Sequence, residues 1–185
     1  MPPASILAKL PAINGGHETK GGGTMSKIEI TDSKGLVLHT VEGANLRGAD
    51  LAGVDLRGAH LVAKDLRAAN LAEANLRGAN LAEANLRGAD LRTANFAGAN
   101  LIEADLGLAK LRGANLEVAD LMGANLWGAD LREVNLRDAD LREANLKGAN
   151  LEGADLRGAS LRRADLRGAD LRGTLLEGLR LGGDA

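Results

Sequence analysis

The sequence predicts an all-β chain wound into a solenoid of stacked coils. Three observations predict it. From residue 46 to residue 181 an apolar residue recurs at every fifth position, 28 times, as Leu in 27 cases and as Phe96 once. Around it the unit is nearly constant: Ala two residues before in 23 of 28 units, Asn or Asp one residue before in 23 of 28, most often Arg after it and Gly after that. Phe96 and Trp127 are the only aromatic residues in the chain, so its core has to be built from something small and uniform.

A period of five excludes the ordinary elements. Five helical residues advance about 500°, so successive leucines step about 140° around a helix and make no stripe. In a straight strand an odd period throws successive leucines onto opposite faces. Every Leu stays on one side only if the chain turns once per unit, and Gly, Asn and Asp are the residues that make such turns cheap. Turning repeatedly in one sense closes a coil, and coils stack through backbone hydrogen bonds about 4.8 Å apart. Leu and Ala then point inward and the other three positions face water. Each inward Leu contributes roughly 1.5–3 kcal/mol of burial, and each Ala leaves room in a core that larger side chains would overpack.

Ahead of the repeat the composition changes. Residues 1–26 read as a flexible tail and linker: Pro2, Pro3 and Pro11 break any long helix, and Gly15, Gly16 and Gly21 to Gly23 surround His17, Glu18 and Lys20. Ile6, Leu7, Leu10 and Ile13 form an apolar patch, a docking turn or simply part of the tail. From Lys27 the pattern alternates, Ile28 and Ile30 against Glu29 and Thr31. Asp32-Ser33-Lys34-Gly35 is a turn signal, and Leu36, Val37 and Leu38 follow as a second strand. The prediction is a β-hairpin within residues 27–41, strands at 27–31 and 36–40, that caps the bare end of the first coil. Leu36 and Val41 already fall on the five-residue register.

Units such as Ala44-Asn45-Leu46-Arg47-Gly48 and Ala49-Asp50-Leu51-Ala52-Gly53 resemble the pentapeptide repeat family, whose pattern is Ala-(Asp/Asn)-Leu-X-X. The resemblance covers residues 42–181 and leaves 182–185 as a tail. It implies a right-handed quadrilateral parallel β-helix with four units per coil, hence about seven coils and a rod ~34 Å tall at ~4.8 Å per coil. It also implies a homodimer joined tail to tail through an apolar end, here Leu175, Leu176, Leu179 and Leu181, where Leu175 replaces the usual Asn or Asp and Leu179 the usual Ala. The competing reading of those leucines is a last turn that caps itself.

With the implied twenty-residue period, Val62, Ala82, Ile102 and Met122 fall in one outward row where Arg is usual, with Val118 at the neighbouring corner. A contiguous exposed apolar row marks a partner surface; the plain alternative is drift on a tolerant surface. Leu108 and Trp127 are outward on another side. Arg92, Arg112 and Arg132 stack beside Lys110, either to hold an anion or as a solvated face neutralised by Asp90 and Asp130. Lys64 stands where Ala is usual, flanked by His60 and Asp65, and its stem is expected to lie buried with the amine reaching solvent; a catalytic lysine is the sharper alternative.

The remaining chemistry is sparse. There is no cysteine, so neither a disulfide nor a thiolate site is available. His17, His39 and His60 lack ligand spacing, and no metal or other cofactor is expected. Asp recurs evenly before the leucines, so no carboxylate pair stands apart as a catalytic dyad. Net charge is −2, which gives no field for nucleic acid or a membrane. The first residues lack a basic lead and a clean apolar segment, which predicts a cytoplasmic protein without a signal peptide. The expected function is a non-enzymatic scaffold or protein-interaction module. The alternative that the family resemblance implies is a DNA mimic that binds type II topoisomerases and protects against quinolones. That role needs an acidic rod, whereas residues 44–123 carry nine Lys and Arg against ten Asp and Glu, and residues 124–183 carry ten against ten.

Overall fold

In a computed structural model, which describes residues 26–180, the chain starts as an antiparallel hairpin of β1 (Lys27–Thr31) and β2 (Val37–Glu42). Asp32 builds the turn. Its Oδ1 accepts from the backbone N–H groups of Lys34 at 2.8 Å and Leu36 at 2.9 Å, and Gly35 takes the left-handed φ of 82° that closes the loop. β2 begins and ends later than the sequence predicts. Ile30 pairs with His39 but Thr31 pairs with Val37, so Leu38 is an extra residue on β2. Such a bulge bends the strand, and Leu38 packs partly buried against the core. Leu36 is left 64% exposed at the turn, so the inward register of the repeat does not extend to it.

The hairpin lies against the start of the solenoid. The His60 N–H donates to the Thr31 carbonyl at 2.7 Å, Asp32 bridges to Ala59, and Ile30, only 1% exposed, joins the leucine core.

Beyond it the backbone pairs in parallel with itself at a spacing of twenty residues, from Asp50 with Asn70 to Ser160 with Arg180. At each pairing the leucine N–H donates upward and the residue before the leucine donates downward, as in Leu51 to Asn70 O at 2.7 Å and Asn70 to Ala49 O at 2.9 Å. Between pairings the chain turns: the Ala49 N–H donates to the Leu46 carbonyl at 3.1 Å, and the same turn follows each leucine in sequence. Four five-residue units therefore make one coil with four sides. The first side carries Leu46 and every twentieth residue after it, the second Leu51, the third Leu56 and the fourth Leu61.

The core is the leucine and alanine lattice. Central residues from Leu51 to Leu156, Phe96 among them, are at most 1% exposed. Burial fails at the far end, where Leu171 is 37% and Leu176 45% exposed. The Asn and Asp position differs from the simple outward one expected. From Asp65 to Asp170 its residues are mostly half-buried, because each side-chain oxygen folds back to accept the N–H two residues on, as from Asn115 to Glu117 at 3.1 Å. No buried side-chain nitrogen or oxygen lacks a partner among the described residues, which is what a water-free core requires. The tails at 1–25 and 182–185, the patch from Ile6 to Ile13, His17 and Leu181 lie outside the described residues.

Candidate interaction surfaces

The outward chemistry follows from which residue precedes the leucine. Where it is Asp and the residue after the leucine is Arg, the two close into a forked pair. Arg67 Nη2 meets Asp65 at 2.6 Å and Arg142 meets Asp140 at 2.6 Å, with the Nε–H bonding the same carboxylate. The geometry is bidentate and planar, the fit of guanidinium to carboxylate. Hydrogen bonding from Arg67 holds the Asp65 carboxyl down at about 2, and Arg167 does the same to Asp165. The neighbouring arginine also lowers Asp90, Asp130, Asp140 and Asp155. Where Asn precedes the leucine the side chains ladder between coils instead. Asn125 donates to Asp105 at 2.8 Å, and Asn145 donates to Asn125 at 2.9 Å. An arginine after an asparagine has no such clamp.

These rules account for the basic row. Arg92 pairs with Asp90 and Arg132 with Asp130, each at 2.7 Å. Arg112 follows Lys110 rather than an aspartate, so it reaches Glu133 at 2.7 Å. Arg92, Arg112 and Glu133 line a shallow hollow of about 350 Å³ with Glu73 and Thr93, and both arginines are matched by carboxylates. Lys64 takes the backbone place of an alanine, with its N–H donating to the Leu61 carbonyl at 3.2 Å, yet the residue is exposed. His39 and His60 lie on the hairpin and on the first coil, and no three metal-binding side chains gather among the described residues.

The structure aligns Val62, Ala82, Ile102 and Met122 up the fourth side, one per coil. All four are half-buried. Val118 is separate, on the third side and 61% exposed. Leu175 and Leu176 are 48% and 45% exposed at the far end, while Leu179 is half-buried against the core. A further exposed apolar pair lies elsewhere. On the first side Leu108 is 47% and Trp127 41% exposed. The sequence places both outward on a side other than the row's, but it does not show how two residues nineteen apart lean.

Comparison with known proteins assigns residues 41–63, 65–98, 99–138 and 139–178 to pentapeptide repeats, eight copies in all. The chain belongs to the pentapeptide repeat family. The fold of that family is the right-handed quadrilateral β-helix, which gives the hand of the coils described above. No curated protein matches the chain. Among solved structures it is similar to a pentapeptide repeat protein, Rfr23, from the cyanobacterium Cyanothece 51142, at 39% identity and a TM-score of 0.50 over 50% of this chain and 64% of that one. The chain thus spans slightly less than two thirds of that relative. It is also similar to a pentapeptide repeat protein from the Arabidopsis thaliana thylakoid lumen, at 32% identity and a TM-score of 0.47 over 66% and 71%. A third match is QnrB1, a plasmid-mediated fluoroquinolone resistance protein, at 22% identity and a TM-score of 0.37 over 74% and 79%. Pentapeptide repeat proteins are generally structural or interaction proteins rather than enzymes. No helix among the described residues is long and apolar enough to cross a membrane.

Proposed function

We propose that this pentapeptide repeat protein is a non-enzymatic scaffold, a rigid rod of about seven coils capped by the β1–β2 hairpin, that docks a protein partner along its fourth side. The supporting observation is the row Val62, Ala82, Ile102 and Met122. Four successive coils present apolar side chains there, where the same position on later coils holds Arg142 and Arg162. The interior offers no room for chemistry, because the leucines fill it. In this reading the protein works in the cytoplasm without a cofactor and pairs with a second copy through Leu175, Leu176, Leu179 and Leu181.

The test is a pull-down with the full chain and with a variant carrying Ile102→Arg and Met122→Arg. Loss of at least one specific partner from the variant supports the row, and an unchanged set of partners counts against it. For the dimer, sedimentation of Leu176→Asp at micromolar concentration should give a monomer where the parent chain gives a dimer. A parent chain that sediments as a monomer removes the contact.

A further inference from the structure

The first side of the rod carries a surface that the docking row does not use. Its centre is Gly107, which follows Leu106 where arginine is usual and, unlike the turn glycines, does not have a left-handed φ. It is small for reasons of space. A Cβ there would lie 3.1 Å from Arg87 Nη1 and 3.1 Å from Asp105 Oδ1. Arg87 crosses this gap from the coil below and lays its guanidinium over Trp127 in the coil above, 5.6 Å from the ring centroid, within cation–π range. Leu108 leans the same way, its Cδ2 3.0 Å from where a Cβ on Gly128 would stand. Two glycines thus let an arginine, a tryptophan and a leucine lie together on one side. Arg and Trp are the residue types that dominate binding hot spots.

Three cations of this column lack a forked carboxylate, with Asp65 and Asp165 acting on Arg47 and Lys147 only at longer range. Arg47, Arg87 and Lys147 each follow an asparagine, so none has the aspartate that clamps Arg67 and Arg167 on the same side. No carboxylate lies within ion-pair distance of any of the three among the described residues. Asp105, across Gly107 from Arg87, is engaged by the Gly107 N–H at 3.0 Å and the Asn125 amide at 2.8 Å. Arg47 and Arg87 are two coils apart, ~10 Å, and Arg87 and Lys147 three coils apart, ~14 Å. An extended peptide advances about 3.3 Å per residue and alternates its side chains between two faces, so two carboxylates four residues apart, about 13 Å, match the step from Arg87 to Lys147.

We infer that this side of the rod binds an extended acidic protein segment, with carboxylates four residues apart on Arg87 and Lys147 and one apolar side chain seated against Trp127 and Leu108. It is a second docking surface, independent of the row on the fourth side.

The experiment is selection from a displayed library of randomised peptides on the full chain, followed by titration of the selected peptides with Trp127 emission as the readout. Trp127 is the only tryptophan and there is no tyrosine, so the signal comes from the site itself. The expected result is a set of acidic peptides with an apolar residue that shift the emission, bind more weakly as salt rises, and lose about tenfold or more in affinity to Arg87→Glu and to Leu108→Ser. Ile102→Arg with Met122→Arg should leave the same affinities unchanged. Selection of neutral or basic peptides, no emission shift, or equal binding to Arg87→Glu overturns the inference. Loss confined to the Ile102→Arg, Met122→Arg variant overturns it too and leaves the fourth-side proposal standing. Tighter response to an oligothymidylate than to the peptides reassigns the surface to nucleic acid and sinks the peptide reading.

Discussion

At the residue scale, the position two after each leucine carries more strain than the others. The turn needs a left-handed φ there, which glycine adopts freely and a β-branched residue rarely does. Thr93 and Val118 nonetheless sit at φ 57°. Holding an L-residue in that region costs roughly 1–2 kcal/mol, and Gly gives back part of the gain through the unfolded chain. Val118→Gly should therefore stabilise the rod by about 0.5–1 kcal/mol. Gly123→Val, at φ 68° with Glu103 in ordinary contact range, should destabilise it by about 1–2 kcal/mol. Urea unfolding midpoints decide both, and a lower midpoint for Val118→Gly would show that the valine is held by packing rather than tolerated. The forked Asp–Arg pairs set the acid response. Asp65 and Asp165 have folded pKa values of about 2 against an ordinary 3.8. A depressed carboxyl contributes stability that is complete above the unfolded value and is lost as pH falls through the folded one. The melting temperature should thus fall between about pH 4 and pH 2, modestly because the pairs are exposed. Asp65→Asn with Asp165→Asn should flatten that fall, and an unchanged pH profile would mean that these pairs add nothing to folding.

At the element scale, a coil is stabilised by the leucines above and below it, so the cost of a deletion should depend on height. Leu101, fully buried in mid-rod, has no freedom to collapse around a lost side chain, and Leu101→Ala should cost about 2–5 kcal/mol. Leu171, 37% exposed, should cost less than half as much by the same substitution. Equal losses at the two heights would contradict a stack held by nearest neighbours. The same height dependence frames the hairpin, whose Ile30 is 1% exposed: Ile30→Asp should raise amide exchange in the first coil and leave the coils beyond Leu111 protected. The repeat was readable because a five-residue period admits only one regular way to keep leucine inside. The hairpin was readable from alternation and its Asp-Ser-Lys-Gly turn. The second strand was misplaced because a bulge at Leu38 changes register without any composition signal. The strain at Thr93 and Val118 and the grouping of Leu108 with Trp127 were hidden for a related reason. A side chain's lean depends on what the coils above and below leave open, and at Gly107 and Gly128 that is set by a missing Cβ.

At the scale of the whole molecule, the rod is a ruler with a step of one unit, and each side is defined only by counting in fives. Removing residues 131–135 should therefore preserve the fold, because the unit ending at residue 130 then joins Leu136 in the place of Leu131, with Asn and Asp ladders available on every side. Its effect is rotational: each later unit moves back by one side. Glu152, now on the second side, would come to lie directly above Trp127, about 4.8 Å up the column where Lys147 stands. The absence of cysteine makes this measurable, since Glu152→Cys gives a single attachment point. A quencher on that cysteine should dim Trp127 far more in the five-residue deletion than in the full-length chain, with circular dichroism unchanged. Removing four residues, 131–134, breaks the count, puts the wrong residue at every later inward position and should unfold the coils beyond it. Equal quenching in the five-residue deletion and the parent, or an equally cooperative fold after the four-residue deletion, would show that the sides are not fixed by the count. The column of Arg47, Arg87, Trp127 and Lys147 would then lose its geometric basis together with the fourth-side row.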